Sequence, residues 1–296
     1  MARDGRVLEE RSAPLGIQHV TNGDFVGALH TLLGDWAELR VPRIACGMIG
    51  SRQGWVEAPY RACPVPLDAL GRDLARTPGG ELAIVAGITC RDDRDVPDVM
   101  RGEETQIAGL VAEHRESLLV VQPGTHSKWT VAAPDSQGTM AIARFITYMT
   151  GETFAVLREH SILGRLMEPA AGFDSASFER GVAHGAASST GGDLLHAVFG
   201  ARTLALLREL PAAGVADYLS GMLIGAEVAA GARWAERHGI QHQTVWLAGS
   251  AELCARYARA LGLLTLKSCT APPDIAARGL WRLAMHAGLV EGEASS

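Results

Sequence analysis

The residues from Pro123 to Trp129 are the strongest candidates for binding phosphate. They read Pro-Gly-Thr-His-Ser-Lys-Trp and follow the apolar run Leu118 to Gln122. A Gly-Thr-x-Ser turn presents backbone amides and hydroxyls, which hold an anion without a full countercharge, and a lysine adds positive charge. An ordinary tight turn with a solvated lysine has the same spacing. The candidate phosphate-binding residues are Gly124, Thr125, His126, Ser127 and Lys128.

Two adjacent carboxylates, Glu103 and Glu104, follow Arg101 and Gly102 within the segment Asp98 to Gln106. A carboxylate in such a place accepts a proton as a general base or binds magnesium through a water molecule. The alternative is structural, because glutamate is also favourable in the first turn of a helix. On these residues alone the structural interpretation is preferred.

A third candidate segment lies around Ser51, Arg52 and Gln53, which an apolar run delivers to a loop bordered by Trp55 and Tyr60. A guanidinium matches the two oxygens of a carboxylate, while serine and glutamine suit hydroxyl groups. These residue types predict a binding site for a polyhydroxy acid, with Ser51, Arg52, Gln53 and Trp55 as its contacts. A surface hairpin with a satisfied arginine has the same pattern.

A fourth apolar run ends at Gly249 and Ser250, where a helix is expected to begin. In an ATP-binding protein such a turn packs on the adenine or the ribose, whereas elsewhere it only connects a strand to a helix. The sequence lacks the motifs G-x-x-x-x-G-K-[ST], G-x-G-x-x-G, H-E-x-x-H and G-x-S-x-G. Their absence argues against P-loop kinases, dinucleotide-binding enzymes, zinc proteases and serine hydrolases of those types.

Strand and helix patterns alternate along the chain and position these segments. Continuous apolar runs suit strands buried on both faces, and small residues at their carboxyl ends let a ligand approach the backbone. The expected strands lie in 43–51, 82–88, 118–125 and 245–250. Helical spacing is expected in 142–157, 218–237 and 252–261, and a polar turn at 133–138 predicts a β-hairpin. The pattern predicts an α/β fold of a different order from the dinucleotide-binding fold.

Composition limits the classes of function. The formal net charge is −6 at pH 7, which gives no general attraction for nucleic acid or anionic membranes. Glu227 interrupts the apolar stretch Leu219 to Ala230, so no run reaches the roughly 20 residues of a membrane span. The five cysteines form no C-x-x-C pair, and the first residues lack the apolar region of a signal peptide. Both features indicate a reducing compartment, the cytoplasm.

The candidate segments occur in one order over most of the chain, and together they resemble the 2-keto-3-deoxygalactonate kinase family. The resemblance is carried by GMIGSRQGWVEAPYRACPVP at 47–66, DVMRGEETQIAG at 98–109, PGTHSKW at 123–129, FITYMTGETFAVLREHSILGR at 145–165, YLSGMLIGAEV at 218–228 and LAGSAELCARYARALG at 247–262. It implies an enzyme that uses ATP and Mg²⁺ to phosphorylate the terminal 6-hydroxyl of 2-dehydro-3-deoxy-D-galactonate. It also implies the two-domain ribonuclease-H-like fold of actin and hexokinase.

The resemblance also implies roles for the candidate residues. Glu103 becomes the catalytic base with Glu104 as its rival, residues 51–53 contact the sugar acid, and Gly249 with Ser250 contacts adenosine. Residues 1–115 are expected to bind the sugar acid and residues 116–296 the nucleotide. The metal ligands stay unassigned. The expected partners are the sugar acid and ATP, without nucleic acid or membrane, and a homodimer is the assembly to test.

The start of the sequence departs from the family pattern. Members of the family begin with a strand–turn–strand that carries an Asp-Trp-Gly-Thr phosphate loop, whereas this sequence opens on the segment that follows it. We therefore expect a first domain truncated at its N-terminus. Because of this departure, an alternative interpretation is a non-catalytic protein that binds the sugar acid or the nucleotide. A third interpretation is a generic α/β enzyme acting on an anionic metabolite.

Overall fold

The computed structural model of the chain describes residues 1–111, 114–189, 191–240 and 243–291. The chain divides into two compact units. The first unit comprises residues 1–117, 132–145 and 272–296, and the second comprises residues 118–131 and 146–271.

Short strands and helices build the first unit. Its strands are β1 (Ile44–Ala45), β2 (Tyr60–Ala62), β3 (Val65–Pro66), β4 (Ala75–Arg76), β5 (Ala83–Ile84), β6 (Gly87–Arg91) and β7 (Pro97–Met100). Its helices are α1 (Phe25–Leu33), α2 (Leu67–Arg72), α3 (Glu103–Leu110) and α9 (Ile275–His286). Two three-stranded sheets have the orders β1-β5-β4 and β2-β6-β7. In each sheet one pair is parallel and one is antiparallel.

Longer elements build the second unit. It contains the strands β8 (Leu118–Gln122), β11 (Val245–Leu247) and β12 (Ser268–Thr270), and it shares β9 (Ser127–Pro134) and β10 (Met140–Tyr148) with the first unit. Its helices are α4 (Thr150–His160), α5 (Ser175–Ser188), α6 (Leu194–Leu206), α7 (Val215–Arg237) and α8 (Ala251–Leu263). These strands have the order β12-β11-β8-β9-β10, in which β11 is parallel to both β8 and β12.

The β9–β10 hairpin contributes to both units. Strand β9 passes from the second unit into the first after Val131, and β10 returns to the second unit after Phe145. The start of β10 then pairs antiparallel with β3 in the first unit. The turn between the two strands is closed by the amide of Gly138, which donates to the carbonyl of Asp135. The predicted hairpin is therefore present.

The assigned units differ from the predicted division at residue 115. Residues 132–145 and 272–296 belong to the first unit rather than to a continuous C-terminal domain. The reason at the C-terminus is packing, because α9 crosses α3 where each helix carries a glycine. A Cβ on Gly109 would collide with the carbonyl of Ile275, and one on Gly279 would collide with that of Thr105.

The helix predicted over 142–157 is wrong in its first half. Strand β10 continues to Tyr148, and α4 begins only at Thr150. Ile142, Phe145 and Thr147 are residue types that suit a strand, and the hairpin supplies the pairing partner that short-range periodicity does not reveal. The helices predicted over 218–237 and 252–261 are confirmed as α7 and α8.

Helix α7 lies at the centre of the second unit. Most of its residues are buried, and Tyr218, Leu219 and Met222 belong to an apolar core with residues of α6. Over the ranges that the structure describes, no helix is both long and apolar enough to cross a membrane.

Glycines bring α5 and α7 into direct backbone contact. A Cβ on Gly181 or Gly185 would collide with carbonyls of α7, and one on Gly221 or Gly225 would collide with backbone atoms of α5. Because the obstructing atoms are backbone, no side-chain rotation can make room. The sequence therefore fixes a close crossing of these two helices.

We expect Gly221→Ala to lower the free energy of unfolding by about 1–3 kcal/mol, because the added methyl group forces the helices apart. Urea unfolding followed by circular dichroism measures the change. Gly262→Ala is the matched control, since Gly262 is exposed on α8 and a Cβ there meets nothing within 4 Å. The control should gain up to about 1 kcal/mol from helix propensity. Equal midpoints for Gly221→Ala and the wild type would contradict the close crossing.

Candidate functional site

The loop between β8 and β9 presents part of the predicted phosphate segment at the surface. Gly124 is half-buried, while Thr125 and His126 are exposed. The carbonyl of Thr125 accepts a hydrogen bond from the amide of Glu152 in α4 at 3.0 Å. The His126 ring lies 2.5 Å from the Glu152 carboxylate, measured from Nε2 to Oε2. The start of α4 therefore holds this loop in place.

Ser127 and Lys128 have side chains that turn inward instead. The Ser127 hydroxyl is fully buried and lies 2.8 Å from the hydroxyl of Tyr257. Lys128 is buried as well, and its Nζ donates to the Thr147 hydroxyl at 2.7 Å. Their role in binding phosphate stays a prediction. With the hydroxyl and the ammonium engaged in this way, such a role falls to backbone amides.

Behind the loop lies a buried carboxylate that sequence reasoning did not assign. Glu227 of α7 accepts a hydrogen bond from the Trp129 indole at 2.8 Å and one from the Tyr257 hydroxyl at 2.6 Å. Burial raises the pKa of Glu227, while its hydrogen bonds act in the opposite direction. Tyr257 also contacts Ser127. The network thus ties the first residues of β9 to α7 and α8.

The turn after β11 lies beside the turn after β8. Ala248 donates its amide to the carbonyl of Val121, and a Cβ on Gly249 would lie 3.1 Å from the carbonyl oxygen of Pro123. The Ser250 hydroxyl accepts from the amide of Leu253 at 3.4 Å and so caps α8. Parallel neighbouring strands end at the same edge, which is where open α/β sheets bind ligands. The structure therefore brings the predicted phosphate and adenosine segments together.

In the first unit, the segment predicted to bind the sugar acid forms a compact turn. Ser51 is 7% exposed, and among the described residues its hydroxyl has no hydrogen-bond partner. Arg52 has a side chain that is 84% exposed, with its Nε 3.6 Å from the Glu57 carboxylate. Gln53 is exposed, and Trp55 stacks on Phe25 with ring centroids 6.1 Å apart. These four side chains therefore do not converge on one point.

Arg101 lies next to this turn and is 9% exposed. Its Nη2 donates to the carbonyl of Ala58 at 2.8 Å, and its guanidinium stacks 4.3 Å from the centroid of the Tyr60 ring. Its Nε and Nη1 are buried without a hydrogen-bond partner in the described part of the chain. Arg101 is thus a buried cation in the first unit with two unused donors.

The adjacent glutamates at the start of α3 differ in environment. Glu103 is half-buried and accepts a hydrogen bond from the Arg101 amide at 2.9 Å. Glu104 is fully buried and accepts from the Gly102 amide at 2.6 Å and the Thr105 hydroxyl at 3.0 Å. Burial raises the pKa of Glu104 to about 7, against the lowering effect of these bonds. Glu103 is therefore the better placed of the two to meet a substrate.

The first unit also contains a large cavity, which is separate from the glutamate pair and from Arg101. It has a volume of about 1120 Å³ and is lined mainly by apolar side chains from residues 1–49 and from α9. Of the predicted site residues it contains Trp55 alone. Across the described ranges, no group of three or more His, Cys, Asp and Glu side chains has a metal-binding arrangement. Neither feature adds to the predicted catalytic residues.

The model of one protein family, described as DGOK: 2-keto-3-deoxy-galactonokinase, matches residues 1–283. The chain belongs to this family. The 2-dehydro-3-deoxygalactonokinase of Escherichia coli (strain K12) is 36% identical over 257 residues, which cover 86% of this chain and 81% of that protein. A Rhizobium meliloti (strain 1021) protein, whose name proposes the same activity, is 37% identical over 239 residues, covering 77% and 74% of the two chains.

A solved structure agrees with the family assignment. A Sinorhizobium meliloti protein, whose name also proposes a 2-dehydro-3-deoxygalactonokinase, superposes with a TM-score of 0.85 at 34% identity. The match covers 96% of this chain and 93% of that one. The resemblance inferred from the sequence motifs is confirmed.

In this member of the family, sequence reasoning did not identify three buried polar residues, namely Arg101, Glu227 and Tyr257. Arg101 stands within the segment that carries the glutamate pair, but its type and spacing do not reveal that its guanidinium is buried. Glu227 interrupts an otherwise apolar helix, which is the pattern expected of a charge with internal partners. No local pattern marks Tyr257, because its partners lie 30 and 130 residues away.

We expect Glu104→Gln to change how stability depends on pH. The pKa of Glu104 is about 7 in the folded protein and near 4.5 in the unfolded chain. Between these values the folded state binds a proton that the unfolded state does not. Wild-type stability therefore falls as pH rises, by up to about 1.4 kcal/mol per pH unit. Glutamine carries no such proton, while its amide oxygen still accepts from Gly102.

Urea unfolding of both proteins at pH 5, 6, 7 and 8 measures the effect. The difference in unfolding free energy, variant minus wild type, should become more favourable to the variant as pH rises. A difference that stays constant from pH 5 to pH 8 would show that Glu104 does not titrate in this window.

Proposed function

We propose that the protein transfers the γ-phosphoryl group of ATP to the terminal 6-hydroxyl of 2-dehydro-3-deoxy-D-galactonate, within galactonate breakdown. The observation that carries the proposal is the pairing of the turns after β8 and β11, where Gly249 approaches the carbonyl of Pro123. Two glycine turns at one edge of a sheet suit a ligand with both a phosphate chain and a nucleoside. Family membership supports the choice of acceptor.

In this proposal the residues of the chain have separate tasks. The substrate hydroxyl attacks the γ-phosphorus, the bond from phosphorus to the ADP oxygen breaks, and the hydroxyl proton passes to the Glu103 carboxylate. Backbone amides of residues 124–128 and the Thr125 hydroxyl bind the oxygens of the phosphoryl group. Gly249 contacts adenosine, whereas the Ser250 side chain is engaged in capping α8. Positioning and charge stabilisation supply most of the catalysis in such transfers.

The residues present fit a magnesium ion that arrives with the nucleotide. In the described chain no cluster of three metal-binding side chains occurs, and Mg²⁺ commonly takes one or two carboxylates together with waters and substrate phosphates. Bound in this way, the ion neutralises charge on the phosphates. Two carboxylates of the candidate site combine partial exposure with a position in the first turn of a helix: Glu103 in α3 and Glu152 in α4.

We also propose a ribonuclease-H-like fold for the second unit. The order β12-β11-β8-β9-β10 combines a hairpin with parallel strands, which supports a ribonuclease-H-like unit rather than an all-parallel sheet. We assign nucleotide binding to the second unit and sugar-acid binding to the first. All five cysteines are unpaired, which supports a reducing compartment such as the cytoplasm. A homodimer remains the assembly to test.

The activity is tested by coupled release of ADP with a panel of sugar acids, and by mass spectrometry of the phosphorylated product. We expect 2-dehydro-3-deoxy-D-galactonate to give the highest kcat/KM in the panel. Glu103→Gln should lower kcat by orders of magnitude with little change in KM, because a lost general base affects the chemical step.

Gln53→Ala is a useful control for that variant, since Gln53 is exposed at the turn of the same unit. It should change KM for the acid more than kcat. Near-normal turnover by Glu103→Gln would remove Glu103 from the role of base. Absence of ADP release by the wild type with every acid in the panel would sink the proposed activity.

We expect Gly151→Ala to raise the KM for ATP by about 10-fold or more, with a smaller effect on the KM for the sugar acid. A Cβ on Gly151 would collide with the carbonyl of Gly124 and displace the phosphate loop, and small displacements of binding groups are costly. Steady-state kinetics with each substrate varied in turn measures both constants. Gly172→Ala, where a Cβ meets nothing within 4 Å, should leave both unchanged. An unchanged KM for ATP in Gly151→Ala would argue against this loop as the phosphate site.

A further inference from the structure

Arg101 is a buried cation that is only partly satisfied. The side chain is 9% exposed, and one of its guanidinium nitrogens, Nη2, bonds to the carbonyl of Ala58. Nε and Nη1 lack partners among the described residues, and the guanidinium makes no ion pair with any of them. Stacking on Tyr60 stabilises the cation but uses none of the N–H groups.

Such an arrangement is costly for the protein alone. A buried charge without a counter-ion and a buried donor without an acceptor each destabilise the folded state, so exceptions need an explanation. An anion that accepts from Nε or Nη1 would remove both costs. The arginine therefore has the properties of a site that is completed by a ligand.

A second unpartnered group lies beside the guanidinium. The hydroxyl of Ser51 is buried without a partner in the described ranges. The residue before it, Gly50, packs directly on the arginine, since a Cβ there would lie 3.1 Å from Nη1. A hydroxyl and a guanidinium that are both unpartnered, on the residue after this glycine and on the side chain packed against it, suit the oxygens of a carboxylate.

We infer that Arg101, with Ser51, binds the carboxylate of the sugar-acid substrate, and that Arg52 does not. The inference rests on the proposed function, because it names the group that recognises the acid end of that substrate. Arg52 points to solvent and already pairs with Glu57, so its charge is screened and costs nothing to leave unbound. Arg101 is desolvated, and a desolvated guanidinium discriminates far more strongly between an acid and a neutral group.

Binding requires a local movement of the turn. Nε, Nη1 and the Ser51 hydroxyl are enclosed, so the carboxylate reaches them when residues 47–51 shift. The turn contains a 3-10 segment, Met48–Gly50, and the residue that precedes this segment, Gly47, has φ 85°. Trp55 is coupled to this turn, because its amide donates to the carbonyl of Ile49 at 2.9 Å, and its ring stacks on Phe25. Tryptophan fluorescence should therefore change when the acid is added without ATP, and Trp55→Phe should remove most of that change.

The test compares the acid with its neutral primary amide as phosphoryl acceptors. For Arg101→Gln we expect kcat/KM for the acid to fall by about 100-fold or more, and that for the amide to fall by no more than about threefold. The matched variant Arg52→Gln removes a neighbouring exposed arginine, and both values should stay within about threefold of the wild type. Thermal melting of each variant confirms that it is folded.

Equal losses for acid and amide in Arg101→Gln would overturn the inference, because they indicate a structural role. Retained discrimination in Arg101→Gln, or its loss in Arg52→Gln, would overturn it as well. If Arg101→Gln does not fold, Arg101→Lys should raise the KM for the acid about 10-fold while preferring the acid over the amide. An unchanged KM in that variant also overturns the inference. A wild type inactive on every acid contradicts the proposed function instead, and calorimetric titration of the acid then tests Arg101 separately.

Discussion

The buried carboxylate of Glu227 is the interaction on which the second unit depends. It lies on α7 and accepts hydrogen bonds from Trp129 of β9 and Tyr257 of α8. A polar group out of water is tolerated only when its hydrogen-bond partners stay in place, so the network resists any shift among these three elements. Trp129 is the third residue of β9, and Tyr257 also contacts Ser127, the first residue of this strand. The network therefore fixes the position of the loop that precedes β9.

Backbone contacts at glycines complete that constraint. The ring of Trp129 lies against Gly231 of α7, where a Cβ would collide with it. Gly151 allows the start of α4 to touch the carbonyl of Gly124, and Gly249 allows the turn after β11 to approach Pro123. Side chains at these positions would separate the elements by roughly the size of a methyl group. The loop between β8 and β9 is therefore held in two ways. The buried network fixes the strand that follows it, and the glycines let α4 and the turn after β11 pack against it.

The sequence predicts the parts of this unit that local patterns encode. Strand β8, helices α7 and α8 and the hairpin turn follow from apolar runs, helical spacing and a polar turn. Residues 142–148 read as a helix because their apolar spacing fits both periods, and only pairing with β9 decides between them. The sequence predicts Ser127 and Lys128 as phosphate ligands because a hydroxyl and an ammonium group are suited to binding phosphate. The direction of a side chain depends on packing partners far away in the sequence, such as Tyr257.

At the start of α3, in the first unit, the sequence also does not predict the direction of a side chain, and the physical reason is visible there. Glu103 and Glu104 are chemically identical neighbours, but successive helix residues point about 100° apart. Rotation therefore decides which carboxylate folds into the protein, and the buried one bonds the Gly102 amide behind it. Burial raises the pKa of Glu104 to about 7, so that this carboxyl group is partly protonated at neutral pH. Among the described residues the Nε and Nη1 atoms of Arg101 have no hydrogen-bond partner, which is the condition under which an arginine at this place can bind an external carboxylate.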